Sequence, residues 1–290
     1  MDASIIIPLY QRTDWIVKTL ENLQKQDFKG TFEVIVVDDG SPNETEIRDA
    51  LTTSPTQNTL NLLHIRNRHA GPAASRNYGV QHASGRILLF LDDDSVPEKT
   101  WLKEMMNSFQ QENQPAIVSG LILSYDRQNA FPLLLEKTVY AGKHWATCNI
   151  SYRKDVLEEL GGFDETFPES SWEDNDLGIR AKWAGYKYVY NRNAIVYHNH
   201  ESTFEQYKKK CQLNGRGAAV FSRKYLLTKP FWGIGTPFVM SRRIIYGLHP
   251  AVWVRKKNSP AYVKFIWSYY SLVGFAETFL KKRNGKNQTR

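Results

Sequence analysis

Three adjacent carboxylates, Asp92-Asp93-Asp94, follow directly on the apolar run Ile87 to Leu91. Side chains two apart on an extended chain point the same way, so Asp92 and Asp94 share a face. Oxygen donors of this kind suit Mg²⁺ or Mn²⁺, which favour carboxylates together with the phosphates of a bound nucleotide. The alternative is an acidic turn in which Asp93 or Asp94 caps a helix beginning near Pro97. A second acidic group, Glu173-Asp174-Asn175-Asp176, opens a helical stretch. A helix dipole favours carboxylates there for structural reasons alone, but neighbouring carboxylates also raise one another's pKa and make a proton acceptor. His198-Asn199-His200 ends a short apolar run. Two imidazoles at i and i+2 on a strand share a face, a pattern commoner in hydrogen-bonded structure than in metal sites.

The elements that must position these groups alternate from the start. Ile5-Ile6-Ile7 reads as a buried strand, and Thr13 to Gln26 places Trp15, Ile16, Thr19, Leu20 and Leu23 at helical spacing. Val34 to Val37 is a second strand, ended by Asp38-Asp39-Gly40-Ser41-Pro42, with Asn43 able to cap a helix over Glu44 to Leu51. Leu60 to Ile65 is the third strand, Pro72 to Ala83 a helix, Ile87 to Leu91 the fourth strand and Glu98 to Gln111 the next helix. Repeated β-α-β units predict a parallel sheet with helices on both faces. Ligands of such sheets bind beyond the carboxyl ends of the strands. The loops Pro8 to Arg12, Asp38 to Ser41 and Asp92 to Ser95 are therefore expected to converge. Beyond them, Ala116 to Leu123 and Ala146 to Tyr152 read as strands, Gln128 to Gly142 as irregular, and Lys154 to Leu160 and Glu173 to Ala184 as helices. Tyr188 to Tyr190 and Ala194 to Tyr197 read as two short strands.

A length of 290 residues permits a sizeable core, as one large domain or one domain with an appendage. The net charge of +8 hides a division: residues 1–200 sum to −7 and residues 201–290 to +15, the latter with sixteen Phe, Trp and Tyr. Two regions are expected, 1–200 carrying the acidic site and 201–290 a basic, aromatic-rich helical region. That mixture suits anionic lipid head groups or a polyanionic acceptor. Nucleic acid is the competing partner but no motif for it accompanies the charge, so none is expected. Two cysteines, Cys148 and Cys211, give neither a disulfide framework nor a metal-ligand spacing and read as reduced thiols of a cytoplasmic protein. No secretory signal is expected from the opening residues. No uncharged run reaches the roughly 20 residues that span a bilayer. Neither the dinucleotide fingerprint G-x-G-x-x-G nor a Walker loop is present.

Several of these motifs, taken in order, resemble the family 2 glycosyltransferases. Ser4-Ile5-Ile6-Ile7-Pro8-Leu9-Tyr10 is similar to the family's opening strand, and Val36-Val37-Asp38-Asp39-Gly40-Ser41 to the loop that holds nucleotide base and ribose. Gly71 to Gly79, with Arg76, is similar to the helix under the diphosphate, and Phe90-Leu91-Asp92-Asp93-Asp94 to the D-x-D strand end. Gly161-Gly162-Phe163-Asp164 and Glu173-Asp174-Asn175-Asp176-Leu177 resemble the acceptor-side turn and the catalytic carboxylate motif. The resemblance covers about residues 3–200; Pro97, where relatives often carry an aromatic residue, is a departure that leaves the site motifs intact.

The resemblance implies a GT-A fold, a Rossmann-like, mostly parallel sheet with helices on both faces, followed here by a helical C-terminal region. It implies an inverting glycosyltransferase that moves a sugar from a nucleotide donor, UDP-sugar by default, to a glycan or lipid-linked acceptor. Mn²⁺ or Mg²⁺ would be held by Asp92 and Asp94 with His198. Pro8, Tyr10, Arg12, Asp38, Asp39, Arg76 and Asp93 would serve the nucleotide side, and Asp174 would be the general base with Glu173 beside it. A sugar nucleotidyltransferase is disfavoured because Pro8-Leu9-Tyr10-Gln11-Arg12 lacks the glycine-rich phosphate loop. A catalytically silent binding protein is disfavoured because Asp39, Asp92, Asp94 and Asp174 are all present. The expected location is cytoplasmic, peripheral on the inner face of the plasma membrane.

Overall fold

Ile5, Ile6 and Ile7 lie fully buried on the first strand, β1 (Ala3–Leu9), and their alternation explains the layers around it. Ile5 and Ile7 pack with Ile16, Leu20 and Leu102 on one face, whereas Ile6 packs with Ala73, Val156 and Leu177 on the other. Only a sheet covered on both faces needs a strand this uniformly apolar. The structure, a computed structural model, describes residues 1–53, 60–112, 114–125, 138–167, 171–199, 203–226 and 260–281.

The first half follows the expected alternation: α1 (Thr13–Gln24), β2 (Phe32–Asp38), α2 (Glu44–Thr53), β3 (Leu62–Arg66), α3 (Pro72–His82) and β4 (Ile87–Phe90). Ile16, Thr19, Leu20 and Leu23 are buried on α1, a single stripe at helical spacing. β1 pairs in parallel with β2 on one side and β4 on the other, and β3 extends the sheet beyond β2. The β4 ladder stops at Ile6 opposite Phe90, while pairing with β2 runs on to Leu9 opposite Asp38. Past Phe90, therefore, the chain leaves its pairing with β1, and after Leu91 come the three aspartates.

The second half comprises β5 (Ser95–Pro97), α4 (Trp101–Phe109), β6 (Ile117–Ser124), β7 (Thr138–Tyr140), a single 3₁₀ turn over Thr147–Asn149, β8 (Ile150–Arg153), α5 (Lys154–Glu159), α6 (Glu173–Trp183) and β9 (Tyr188–His198). Sheet order is β3-β2-β1-β4-β8-β6-β9-β5, with β7 against β6. β8 runs antiparallel to both β4 and β6, and β6 runs parallel to β9. Among the described residues no crossover helix joins β6 to β8, and an antiparallel return is the arrangement that needs none.

Four local expectations change. The strand expected over Ala146 to Tyr152 opens as the 3₁₀ turn and becomes strand only at Ile150, and Thr138–Tyr140, expected to be irregular, is β7 paired with β6; the rest of Gln128 to Gly142 up to residue 137 lies outside the described residues. The helix expected from Glu98 begins at Trp101, because Ser95–Pro97 is a strand, antiparallel to the end of β9. The two short strands expected over 188–197 are one strand, β9, whose pairing with β6 shifts register between Gly120 and Leu121. The shift is possible because residue 120 is glycine: a Cβ there would stand 2.1 Å from the Ala194 carbonyl oxygen.

The chain divides into two compact units. The first contains the whole sheet, α1–α5 and α6 from Asp174; the second contains Thr166–Glu173 and the helices α7 (Phe204–Leu226) and α8 (Pro260–Lys281). Within the second, Gly215 on α7 and Gly274 on α8 let the helix backbones approach, since a Cβ at Gly215 would meet Ser271 O at 1.8 Å. The basic clusters Arg242-Arg243 and Arg255-Lys256-Lys257 lie outside the described residues. No described helix is long and apolar enough to cross a membrane.

Candidate active site

The route of the chain after β4 brings the aspartates and His198 together. The chain turns at Asp92–Ser95, closed by Ser95 N–H donating to Asp92 O at 3.1 Å. It re-enters the sheet with Ser95 opposite His198 in the β5–β9 register. Asn199 N–H then donates to Asp94 O at 3.1 Å, and Thr19 Oγ1 on α1 donates to Asp93 O at 3.1 Å. The carboxylate turn is thus held by its backbone from both sides.

The side chains within that frame form one ionic cluster. His198 Nε2 lies 3.4 Å from Asp92 Oδ2 and 3.5 Å from Asp94 Oδ1. Arg12 Nη1 lies 2.9 Å from Asp93 Oδ1 and 2.5 Å from Asp94 Oδ2. Arg76, only 2% exposed although it is an arginine, donates to Asp92 Oδ1 at 3.0 Å. Tyr10 N–H reaches Asp93 Oδ2 at 3.4 Å. Gln11 makes this possible by adopting a φ of +64°, unusual for a residue with a side chain, while its N–H donates to Ser41 Oγ.

Three carboxylates face two guanidiniums here. Burial penalises the charge of Asp92, but the His198 hydrogen bond and the Arg76 guanidinium outweigh it and hold the carboxyl well below the usual range. Burial drives Asp93 the other way, up to about 7, against the pull of Arg12 and with the charges of Asp94 and Asp92 adding to the rise. Asp94 Oδ1 is buried and accepts no hydrogen bond, which is costly unless something else coordinates it. Carboxylate oxygens of Asp92 and Asp94 beside an imidazole nitrogen form a donor set that fits a divalent cation.

Asp38 and Asp39 sit apart from this cluster and build the neighbouring loop. Asp38 accepts from Ser41 N–H and forms an ion pair with Arg66 Nη1. Asp39 accepts from Ala70 N–H, Gly71 N–H and Ser75 Oγ, all at 2.9–3.0 Å, and so closes the start of α3. Above the loop the exposed ring of Tyr10 stacks on His69, with centroids 4.5 Å apart and planes 23° apart. Pro8 stays in β1 opposite Val37.

Glu173 and Asp174 begin α6 as expected. Asp174 Oδ1 accepts from both the backbone and side-chain N–H groups of Asn175, at 2.6 and 2.8 Å. Glu173 is buried, 3% exposed. The glycine turn before α6 is held from α3: Asn77 Nδ2 donates to Phe163 O, Asn77 Oδ1 accepts from Phe163 N–H, and Arg76 lies 5.7 Å from the Phe163 ring centre. Asn77, Thr19 and Asn149 help to position the site although nothing in the sequence assigns them that role: Thr19 reads as one member of the α1 stripe and Asn77 as one residue of the Gly71 to Gly79 motif. Cys148, read from the sequence without a metal role, stands at the cluster: its sulfur, an Asp92 carboxylate oxygen and a His198 ring nitrogen all lie within 4.8 Å of one another.

The site thus lies on a mixed sheet covered on both faces, with acidic groups and arginines gathered at the strand ends. Residues 4–163 match the family described as Glycosyl transferase family 2, and residues 87–279 match Glycosyl transferase family group 2. The chain belongs to glycosyl transferase family 2 and is an enzyme of the glycosyltransferase type. It is 30% identical over 224 residues to Glycosyltransferase AglE of Haloferax volcanii, covering 74% of this chain and 72% of that one. Other curated relatives are longer, and the chain spans 47% of one that is 28% identical. Among solved structures, it resembles the Pyrobaculum calidifontis mannosyltransferase PcManGT in complex with GDP-Man and Mn²⁺. The TM-score is 0.67 at 18% identity, over 97% of this chain and 87% of that one. It also resembles S. aureus TarS residues 1–349 in complex with UDP, with a TM-score of 0.55 at 21% identity, over 99% of this chain and 92% of that one. The fold is the GT-A arrangement.

Proposed function

We propose that this chain transfers a sugar, with inversion at the anomeric carbon, from a nucleotide-sugar donor to a hydroxyl of a glycan or lipid-linked acceptor. The observation that carries the reading is the Asp92–Asp94–His198 constellation at the strand ends, with a buried Asp94 oxygen that accepts no hydrogen bond and with Arg12 and Arg76 on its flanks. Asp92, Asp94 and His198 would hold Mn²⁺ or Mg²⁺, which when bound supplies positive charge to the departing diphosphate. Arg12 and Arg76 add fixed positive charge beside the same oxygens. The loop closed by Asp38 and Asp39 shapes the nucleotide pocket, and the stacked rings of Tyr10 and His69 offer the base a flat surface. Asp174 accepts the proton of the acceptor hydroxyl as its oxygen bonds to the anomeric carbon and the bond to the phosphate oxygen breaks. Glu173 is the second choice for that role. Base catalysis of this kind contributes about 10²–10⁴-fold.

UDP-hexose is the default donor. GDP-mannose is the first competitor, since the structurally similar mannosyltransferase was solved with it. A screen of UDP-, GDP- and dTDP-sugars with Mn²⁺, read by release of the free nucleoside diphosphate, tests the reading; no turnover and no binding of any donor would oppose it. For the acceptor side, the +15 charge of residues 201–290 supports docking on an anionic bilayer. Lys208, Lys209 and Lys210 lie together on α7. Replacing all three by Glu should weaken co-sedimentation with anionic vesicles at low salt, and an intact protein that stays in the supernatant there removes the membrane proposal alone.

A further inference from the structure

Cys148 is one of only two cysteines, is 7% exposed and forms no disulfide. Its place is fixed by its neighbour. Asn149, fully buried, accepts from Trp101 Nε1 at 2.8 Å and donates to Leu121 O and Ala194 O, both at 3.0 Å. Those bonds clamp the Thr147–Asn149 turn onto the register shift between β6 and β9. The clamp leaves the thiol within 4.8 Å of donor atoms on Asp92 and His198. Asp94 Oδ1, buried and without a hydrogen bond, lies 3.5 Å from His198 Nε2.

A centre built of carboxylate oxygens alone would favour Mg²⁺, Mn²⁺ or Ca²⁺. Imidazole and thiolate donors shift affinity toward Co²⁺ and Zn²⁺. We infer that Cys148 is a metal donor at this centre, so that Asp92, Cys148 and His198 bind a borderline, thiol-preferring divalent ion of the Co²⁺ or Zn²⁺ class. The inference rests on the metal role proposed above for Asp92 and His198 and adds a ligand and an ion preference to it. On ligation the sulfur gives its proton to solvent and the ion exchanges bound water for thiolate, with no change of oxidation state.

The test uses the full chain, stripped of metal with a chelator, without added nucleotide, titrated with Co²⁺ and followed by absorption. A thiolate-to-cobalt charge-transfer band in the near ultraviolet is expected, reaching its limit at one ion per chain. Cys148→Ser should abolish the band and weaken Co²⁺ binding by more than the roughly 10–100-fold that loss of an outer-shell partner costs. Its Mn²⁺ affinity, read by the electron paramagnetic resonance of free Mn²⁺, should move far less. X-ray absorption on Zn²⁺-loaded wild-type protein needs no variant: a sulfur scatterer at about 2.3 Å is expected beside nitrogen and oxygen at about 2.0–2.2 Å. A bound ion with only nitrogen and oxygen neighbours, or a band that survives in Cys148→Ser, overturns the role of Cys148 and leaves the Asp92–Asp94–His198 site standing. Failure of Mn²⁺, Co²⁺ and Zn²⁺ alike to bind, both alone and with a nucleoside diphosphate present, overturns both.

Discussion

Arg12 Nη1 lies 2.5 Å from Asp94 Oδ2, so a guanidinium on the loop after β1 neutralises the carboxylate that ends the D-x-D turn. Asp93 and Asp94 more than offset the burial that would lower the Arg12 pKa, so the group stays charged. A divalent ion arriving at Asp94 meets a competitor of the same sign. Arg12→Gln is therefore expected to tighten Mn²⁺ binding to the nucleotide-free protein while weakening nucleoside diphosphate binding. Titration of free Mn²⁺ by electron paramagnetic resonance and of nucleotide by calorimetry measures the two effects. Mn²⁺ affinity unmoved by the substitution would show that the arginine does not compete.

Asp174→Asn should lower the transfer rate by at least about 10²-fold and leave donor binding close to wild type, since it removes proton abstraction alone. The same loss from Glu173→Gln, with Asp174→Asn mild, would exchange the two roles. Proton NMR of the glycoside should show the anomeric configuration opposite to that of the donor. Retention would contradict single displacement.

The histidines give the fold a pH dependence of definite sign. Burial lowers the pKa of His144 from its ordinary 6.5, although its hydrogen bond to Gly120 O at 2.8 Å partly opposes this. Burial lowers His64 in the same direction. The unfolded chain binds these protons more readily than the folded one, so their contribution is complete above pH 6.5 and is lost as the pH falls below it. Denaturant unfolding at pH 8, 7, 6 and 5 should show wild type losing stability relative to His144→Asn toward the acid side; Asp93, whose raised pKa acts in the opposite sense, is common to both proteins and cancels in the difference. A difference that stays constant with pH would assign the loss to other groups.

Much of the site was legible because its chemistry is local. Asp92 and Asp94 follow an apolar strand, Tyr10 and Arg12 follow another, and α/β logic alone brings those strand ends together. From the residues alone His198 reads as one of two imidazoles at the end of a strand, and its metal role comes only from the resemblance; what places it is the pairing of Ser95 with His198, a tertiary fact about a three-residue strand that reads as a helix start. Asp39 shows the opposite case. Its motif suggests a nucleotide contact, yet its carboxylate is engaged by Ala70, Gly71 and Ser75 in closing α3. Cys148 carried no linear signal, because its partners stand 56 residues before it and 50 after it. The single strand β9 was illegible for a related reason: Asn191–Asn193 looks like a break, and only the register shift at Gly120 lets the strand pass through it.

The central claim is that the aspartates at the end of β4 bind a nucleotide through a divalent ion. Calorimetric titration of the full chain with a nucleoside diphosphate, with Mn²⁺ and then with excess EDTA, tests it most directly. Wild-type protein should bind at least tenfold more tightly with the ion, each tenfold being about 1.4 kcal/mol, and Asp94→Asn should bind equally under both conditions. Equal affinity of the wild-type protein with Mn²⁺ and with EDTA would contradict it.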